Sequence, residues 1–197
     1  MILHRYFPTN IGVDINPNHL DFVSKAIDRC YELKEKVTSG GENWVSKSTY
    51  NTLAKYNIFS DSSFDSINDF VVESVKKYCN ELDVDLDCLD ERPTDAWFNI
   101  YQKGDYQEYH HHGGSMISVV YFLKVDEDSA KIYFKQPFID MIEPRYKQFR
   151  DDTFQTVFYT PQPGMILIFR SYLEHCVEKH DSDSERITLS YNFRRKL

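Results

Sequence analysis

Three consecutive histidines, His110, His111 and His112, precede the pair Gly113-Gly114. Imidazole is the commonest protein ligand for a transition metal. In extended backbone, alternate side chains point to the same face. His110 and His112 then share a face and His111 points away. Two imidazoles need a third ligand returning from elsewhere. His175 lies 63 residues beyond His112, just after the apolar run 164–169 (GMILIF), and is the candidate. Three ligands grouped on one side of a ferrous ion leave its other positions open for a cosubstrate and oxygen. The expectation is a mononuclear iron site of His110, His112 and His175 inside a β-barrel.

Arg186 follows His175 by eleven residues, and Thr188 shares its face on the strand 186–193 (RITLSYNF). A guanidinium can grip a carboxylate with two parallel hydrogen bonds, and a threonine hydroxyl can add another. The competing reading of Arg186 is a surface ion pair with Asp181, Asp183 or Glu185. Asn99 and Tyr101 share a strand face and could reach a bound cosubstrate, as could Tyr121; ordinary barrel packing is the alternative for each. Glu108 falls on the alternating face of the histidines and could ligate if the strand ended early. Cys176 neighbours His175 and should face the other way. His180 sits in a polar loop and is expected to be solvated. His4 and His19 have no partners at metal-ligand spacing and read as surface or capping residues. Gly113 and Gly114 read as a site of unusual backbone angles or close approach.

Elements must carry these side chains to one place. Residues 1–16 read as an opening strand. Apolar residues from Leu20 to Leu33 recur at helical spacing within 19–37, and Ile67, Phe70, Val71, Val75 and Tyr78 do so within 65–81. A partial helical period covers 51–59. Arg92-Pro93 reads as a hinge. Beyond it strands dominate: 96–101, the histidine segment, 116–125, 130–134, 154–159, 165–169, 172–177 and 186–193. Turns such as Lys103-Gly104-Asp105 and Pro161-Gln162-Pro163-Gly164 separate them. The chain is read as one domain over 1–197, with 1–93 a helical support region and 94–197 the barrel core. Helices followed by many short strands predict a mainly β fold with supporting helices, a jelly-roll barrel.

Composition bounds the function. The chain has 197 residues and a formal charge of -8, with 14 tyrosines and 14 phenylalanines. An acidic balance excludes the basic footprint of a protein that coats nucleic acid. No apolar run reaches the roughly 20 residues of a membrane span, and the first ten residues lack the layout of a signal peptide. The four cysteines show no CxxC spacing and fit reduced thiols in a cytoplasmic protein.

The order HxH, a distal histidine and RxT resembles the 2-oxoglutarate/Fe(II)-dependent oxygenases. One branch of that superfamily is matched further by Trp97-x-Asn99, Gly104-Asp105, His110-x-His112, Ser118-x-x-Tyr121, Pro163-Gly164 and the closing Asn192, with Trp44 between two helical segments. The resemblance implies a double-stranded β-helix of cupin-like jelly-roll type, Fe(II) and 2-oxoglutarate as cofactors, and molecular oxygen as cosubstrate. It implies that Arg186 and Thr188 anchor 2-oxoglutarate, and that the activity is dioxygenase chemistry, a hydroxylation, on a small-molecule or peptidyl substrate. No nucleic-acid or membrane partner is expected, and a dimer is compatible with the sequence. One departure matters: His112 stands where the superfamily carries Asp or Glu, so a bound ferrous ion would keep its full +2 charge. Two alternatives follow. One is a cupin-like three-histidine metalloenzyme without 2-oxoglutarate, which leaves Arg186 and Thr188 without a role. The other is a non-catalytic jelly-roll binding module, which would need no metal.

Overall fold

The computed structural model describes residues 1–2, 7–42, 44–138 and 144–196. In chain order the elements are β1 (Ile11–Ile15), α1 (His19–Lys34), β2 (Tyr50–Asn51), α2 (Asp65–Glu81), β3 (Asp95–Tyr101), β4 (Gln107–His110), β5 (Ile117–Lys124), β6 (Ile132–Lys135), β7 (Thr156–Tyr159), β8 (Met165–Arg170), β9 (His175–Val177) and β10 (Arg186–Phe193). They form a six-stranded sheet ordered β1-β8-β5-β10-β3-β2 and a four-stranded sheet ordered β4-β9-β6-β7, with antiparallel neighbours throughout. This is the double-stranded β-helix predicted from the strand pattern.

Side-chain alternation on the large sheet explains both its faces. In β10, Ile187, Leu189, Tyr191 and Phe193 join the core shared with Ala26, Cys30 and Leu33 of α1 and Ile67, Val71 and Val75 of α2. The intervening Arg186, Thr188, Ser190 and Asn192 are equally buried but point the opposite way, into the barrel. In β3, Ala96, Phe98 and Ile100 face the helices while Trp97, Asn99 and Tyr101 face inward, opposite Ser190, Thr188 and Arg186 in the register. A second core of Val120, Phe122, Leu167 and Phe169 from the large sheet and Ile132 and Phe134 from the small one fills one side of the barrel. Each such apolar side chain contributes about 1.5–3 kcal/mol on burial, which lets the other side of the barrel remain polar.

Several expectations change. Residues 51–59 form no α-helix: β2 leads to Ala54 at φ 58 and then a short 3₁₀ helix, Ile58–Ser60, capped by the Asn57 side chain. Thr52 exchanges hydrogen bonds with the backbone of Phe98 and so ties this segment to β3. The N-terminal region is more than a helical layer, because β1 extends the large sheet beside β8 and β2 extends it beside β3. Within the expected opening strand, residues 3–6, with His4 and Tyr6, lie outside the described residues, as do 139–143 of the expected loop 135–153. His19 is buried. Its Nδ1 lies 2.7 Å from the Tyr121 hydroxyl, and a Cβ on Gly164 (φ +77) would come within 2.8 Å of the His19 Cβ, so glycine is needed at that turn. His180 is fully buried as well. The Ala130 N–H donates to its Nδ1, and its Nε2–H donates to the Ser184 carbonyl. Among the described residues no helix is long and apolar enough to cross a membrane.

Candidate metal centre

His110 ends β4 and His175 opens β9, and the register places them directly opposite one another. Ring centroids lie 4.2 Å apart for His110 and His175, 5.1 Å for His110 and His112, and 5.1 Å for His112 and His175. One nitrogen from each ring falls within 4.8 Å of the other two, a spacing one ion could bridge. His112 lies beyond the end of β4, where its backbone N–H donates to the Ser171 carbonyl at 2.9 Å. Gly114, at φ 87, turns the chain two residues later, and a side chain at either glycine would meet open space, so backbone angle and not close approach accounts for Gly114, while nothing in the structure requires a glycine at 113.

Local hydrogen bonds orient two of the imidazoles. His110 Nδ1 lies 2.8 Å from the Glu108 carbonyl, and His175 Nδ1 lies 2.9 Å from the Leu173 carbonyl. A carbonyl only accepts, so both Nδ1 atoms carry the proton and both Nε2 atoms keep a free lone pair. Phe134 stacks on the His175 ring at 5.7 Å and Phe169 meets its edge at 4.7 Å, fixing it in an apolar wall. Burial pushes the pKa of all three histidines down; the neighbouring imidazoles add to the effect at His112 and His175, Glu108 opposes it at His110, and His112 falls to about 3. The rings are therefore neutral at physiological pH, the form that ligates a metal. The donor set fits a first-row transition ion.

The same cavity reaches Arg186, Thr188, Asn99 and Tyr101. The Arg186 side chain is 1% exposed, and none of its three nitrogens has a hydrogen-bond partner among the described residues. Its guanidinium lies 4.7 Å from the Tyr101 ring centroid and 5.3 Å from that of Phe122. The surface ion pair considered from sequence is absent, because each carboxylate is engaged elsewhere. Asp181 pairs with Lys179, Asp183 with Lys103, and Glu185 with Lys34 while also accepting from Tyr31. Burial lowers the Arg186 pKa, against the raising effects of Tyr101 and Glu178, because the buried site disfavours the charged guanidinium. An anion entering this cavity would meet the rigid N–H fork of a buried guanidinium that the Tyr101 side chain approaches.

Asn99 does not offer its amide to the cavity. Its Nδ2 donates to Thr188 Oγ1 at 3.3 Å and Ser190 Oγ at 3.2 Å, and its Oδ1 accepts from the Trp97 indole at 3.1 Å. It orients Thr188. Tyr121 is not brought to the site: Val120 and Phe122 face the barrel, so alternation turns Tyr121 to the helices, where it meets His19. Glu108 is not a ligand either. Its carboxylate accepts from the backbone N–H groups of Val45 and Ser46, which hold its pKa down against the raising effect of burial. His111 is exposed and Cys176 stays outside the cluster, as alternation predicts.

Two cavity residues are not among the site residues expected from the sequence, which names Trp44 only as part of the resemblance. Gln107 is buried with its Oε1 unpartnered. A register shift in β4 between Gln107 and His110 puts both on the inner face although they are three apart, so simple alternation misassigns it. Trp44 closes the cavity from the segment that Glu108 holds. The cavity measures about 30 Å³, room for roughly one water.

Residues 95–192 match the family model described as "Putative 2OG-Fe(II) oxygenase". No curated protein matches this chain. Among solved structures, a Pseudomonas putida prolyl-4-hydroxylase is 16% identical, with a TM-score of 0.66 over 96% of this chain and 94% of that one. A Trichoplax adhaerens prolyl hydroxylase, in complex with a peptide fragment of the hypoxia inducible factor oxygen degradation domain, is 13% identical, with a TM-score of 0.62 over 93% and 83%. HygX from Streptomyces hygroscopicus, with nickel, 2-oxoglutarate and hygromycin B bound, is 11% identical, with a TM-score of 0.55 over 94% and 83%. At these identities the structures speak to the fold.

Proposed function

Since the chain belongs to the 2OG-Fe(II) oxygenase family, we propose that it is a 2-oxoglutarate-dependent dioxygenase that hydroxylates a small molecule or a peptidyl side chain. His110, His112 and His175 hold Fe(II) in this reading, and Arg186 and Thr188 hold the distal carboxylate of 2-oxoglutarate. The bound metal and 2-oxoglutarate together supply oxygen activation, with succinate and carbon dioxide as coproducts. One observation carries the reading: a buried guanidinium with no counter-ion among the described residues shares a cavity with three converging imidazoles. Unpaired buried charge is costly, and a ligand carboxylate would relieve that cost.

The protein's own part is positional. The carbonyls of Glu108 and Leu173 keep two imidazoles in the ligating tautomer. Asn99 holds Thr188 in place beside Arg186. Phe122, Phe134 and Phe169 form an apolar wall that limits water at the reacting end. Residues 94–197 act as the catalytic core and 1–93 as its support, and the free thiols fit a cytoplasmic setting. The substrate classes are suggested by the peptide and the hygromycin B bound in the two structurally similar proteins.

The test is anaerobic titration of the Fe(II) protein with 2-oxoglutarate, watched for a visible charge-transfer band, followed by succinate measurement after oxygen is admitted. A band and uncoupled succinate formation are expected. Metal binding without 2-oxoglutarate binding would return the site to a three-histidine metalloenzyme of another kind, and absence of both would reject the reading.

A further inference from the structure

His112 is the exceptional ligand of the trio. Its Nδ1 faces the Asn192 side-chain Nδ2 at 3.4 Å instead of a backbone carbonyl. Asn192 Oδ1 accepts from the Ser118 hydroxyl at 2.8 Å, and Ser118 Oγ lies 2.8 Å from Ser171 Oγ. All three partners are buried, at 5% exposure for Asn192 and 1% for each serine. In this arrangement an amide N–H points at His112 Nδ1, so Nδ1 must accept. A neutral imidazole that accepts at Nδ1 carries its proton on Nε2 and has no lone pair there. His112 would then be the wrong tautomer beside two imidazoles of the right one.

A half-turn of the Asn192 amide removes the conflict. The carbonyl and amino ends of an asparagine are nearly the same shape and are told apart only by their hydrogen-bond partners. After the turn, Oδ1 accepts from His112 Nδ1–H and Nδ2 donates to Ser118 Oγ. The Ser118 hydroxyl then donates to Ser171 Oγ. Each of these contacts keeps one donor and one acceptor, and the turn passes the spare hydroxyl proton to Ser171. Neither serine needs to move, and the Ser171 carbonyl still receives the His112 backbone N–H.

We propose that Asn192 is the positioning residue for His112: when a divalent metal is bound, its side-chain Oδ1 accepts a hydrogen bond from His112 Nδ1–H, so that the other ring nitrogen can ligate. The proposal rests on the metal reading above and deepens it. It also gives a physical reason for a buried amide here. A carboxylate ligand would need no tautomer chosen for it, whereas a histidine in that place does.

The test uses the full chain and the metal alone. Co(II) would be titrated calorimetrically into metal-free wild type, Asn192→Ala and Asn192→Asp, with circular dichroism to verify folding. Loss of an outer hydrogen-bond partner weakens metal affinity by about 10–100-fold, and that loss is expected for Asn192→Ala. Asn192→Asp presents only acceptors and should bind at least as tightly as wild type, a rescue that mere packing would not produce. On wild type, ¹⁵N NMR should show His112 Nδ1 becoming protonated on adding Zn(II), which decides the matter even if the alanine variant fails to fold. Wild-type affinity in Asn192→Ala, or an Nδ1 that stays unprotonated with Zn(II), would overturn the proposal while leaving the metal site standing. A wild type that binds neither ion would instead reject the metal reading beneath it.

Discussion

Replacing Arg186 by methionine should affect stability and binding in opposite directions. Removing a charge that is buried without a partner avoids a desolvation penalty of several kcal/mol. Against this, the contacts with Tyr101 and Phe122 each return about 2 kcal/mol when desolvated. Methionine matches the length of the aliphatic stem and packs adaptably. The metal-loaded variant without 2-oxoglutarate should therefore be as stable as wild type or more stable, by about 0–3 kcal/mol. The carboxylate of 2-oxoglutarate, by contrast, loses its partner. Truncating one side of a buried charge pair costs about 2–5 kcal/mol, equivalent to about 30- to 5,000-fold in Kd. Thermal unfolding with Co(II), with and without 2-oxoglutarate, reads both effects. Ligand at about 100 times its Kd stabilises wild type by about 2.7 kcal/mol, which for a domain of this size is about 5–10 °C in Tm. That increment should vanish in Arg186→Met while the baseline Tm holds or rises. A variant that keeps the full increment would show that Arg186 is not the anchor. A baseline that collapses would show that its charge is compensated in a way the structure does not contain.

Changing His175 to Ala should abolish Co(II) binding and with it the 2-oxoglutarate charge-transfer band, while far-ultraviolet circular dichroism stays native; retained stoichiometric metal would refute the ligand set. Metal-free protein should lose stability as pH falls below the ordinary histidine value of 6.5. There the unfolded chain gains protons that the folded rings, with His112 held at about 3, still refuse. Denaturant titrations between pH 7.5 and 4.5 should show a falling midpoint, less steep in a variant lacking one of the three histidines. Changing Trp44 to Ala should widen the cavity mouth and speed 2-oxoglutarate association in stopped flow, and a slower rate would mean that the indole assists binding.

Chemistry-bearing residue types and element order were legible along the chain. The strand 186–193 and the helix 65–81 stand where the alternation and the helical period put them, because each depends on a local pattern that a buried face imposes. What escaped were the departures from regular period. The bulge in β4 brings Gln107 inward and frees Glu108 for Val45 and Ser46. His180, in a run of polar residues, is buried because its ring closes the loop onto Ala130 and Ser184, and a polar loop does not advertise that from composition. The two readings of Tyr121 stay open in the sequence because alternation fixes which residues share a side without saying which side is the barrel; it faces the helices.

The sequence alone determined a jelly-roll with helices before it and a histidine cluster with an arginine held in reserve. Both follow from residue types repeated at short range. Only the tertiary structure decided that His110 and His175 are cross-strand partners, that no described carboxylate pairs with Arg186, and that His112 lies against Asn192. Those facts are contacts between residues 65 or more positions apart, or the absence of such contacts. Local spacing carries no information about them until the two sheets close on one another.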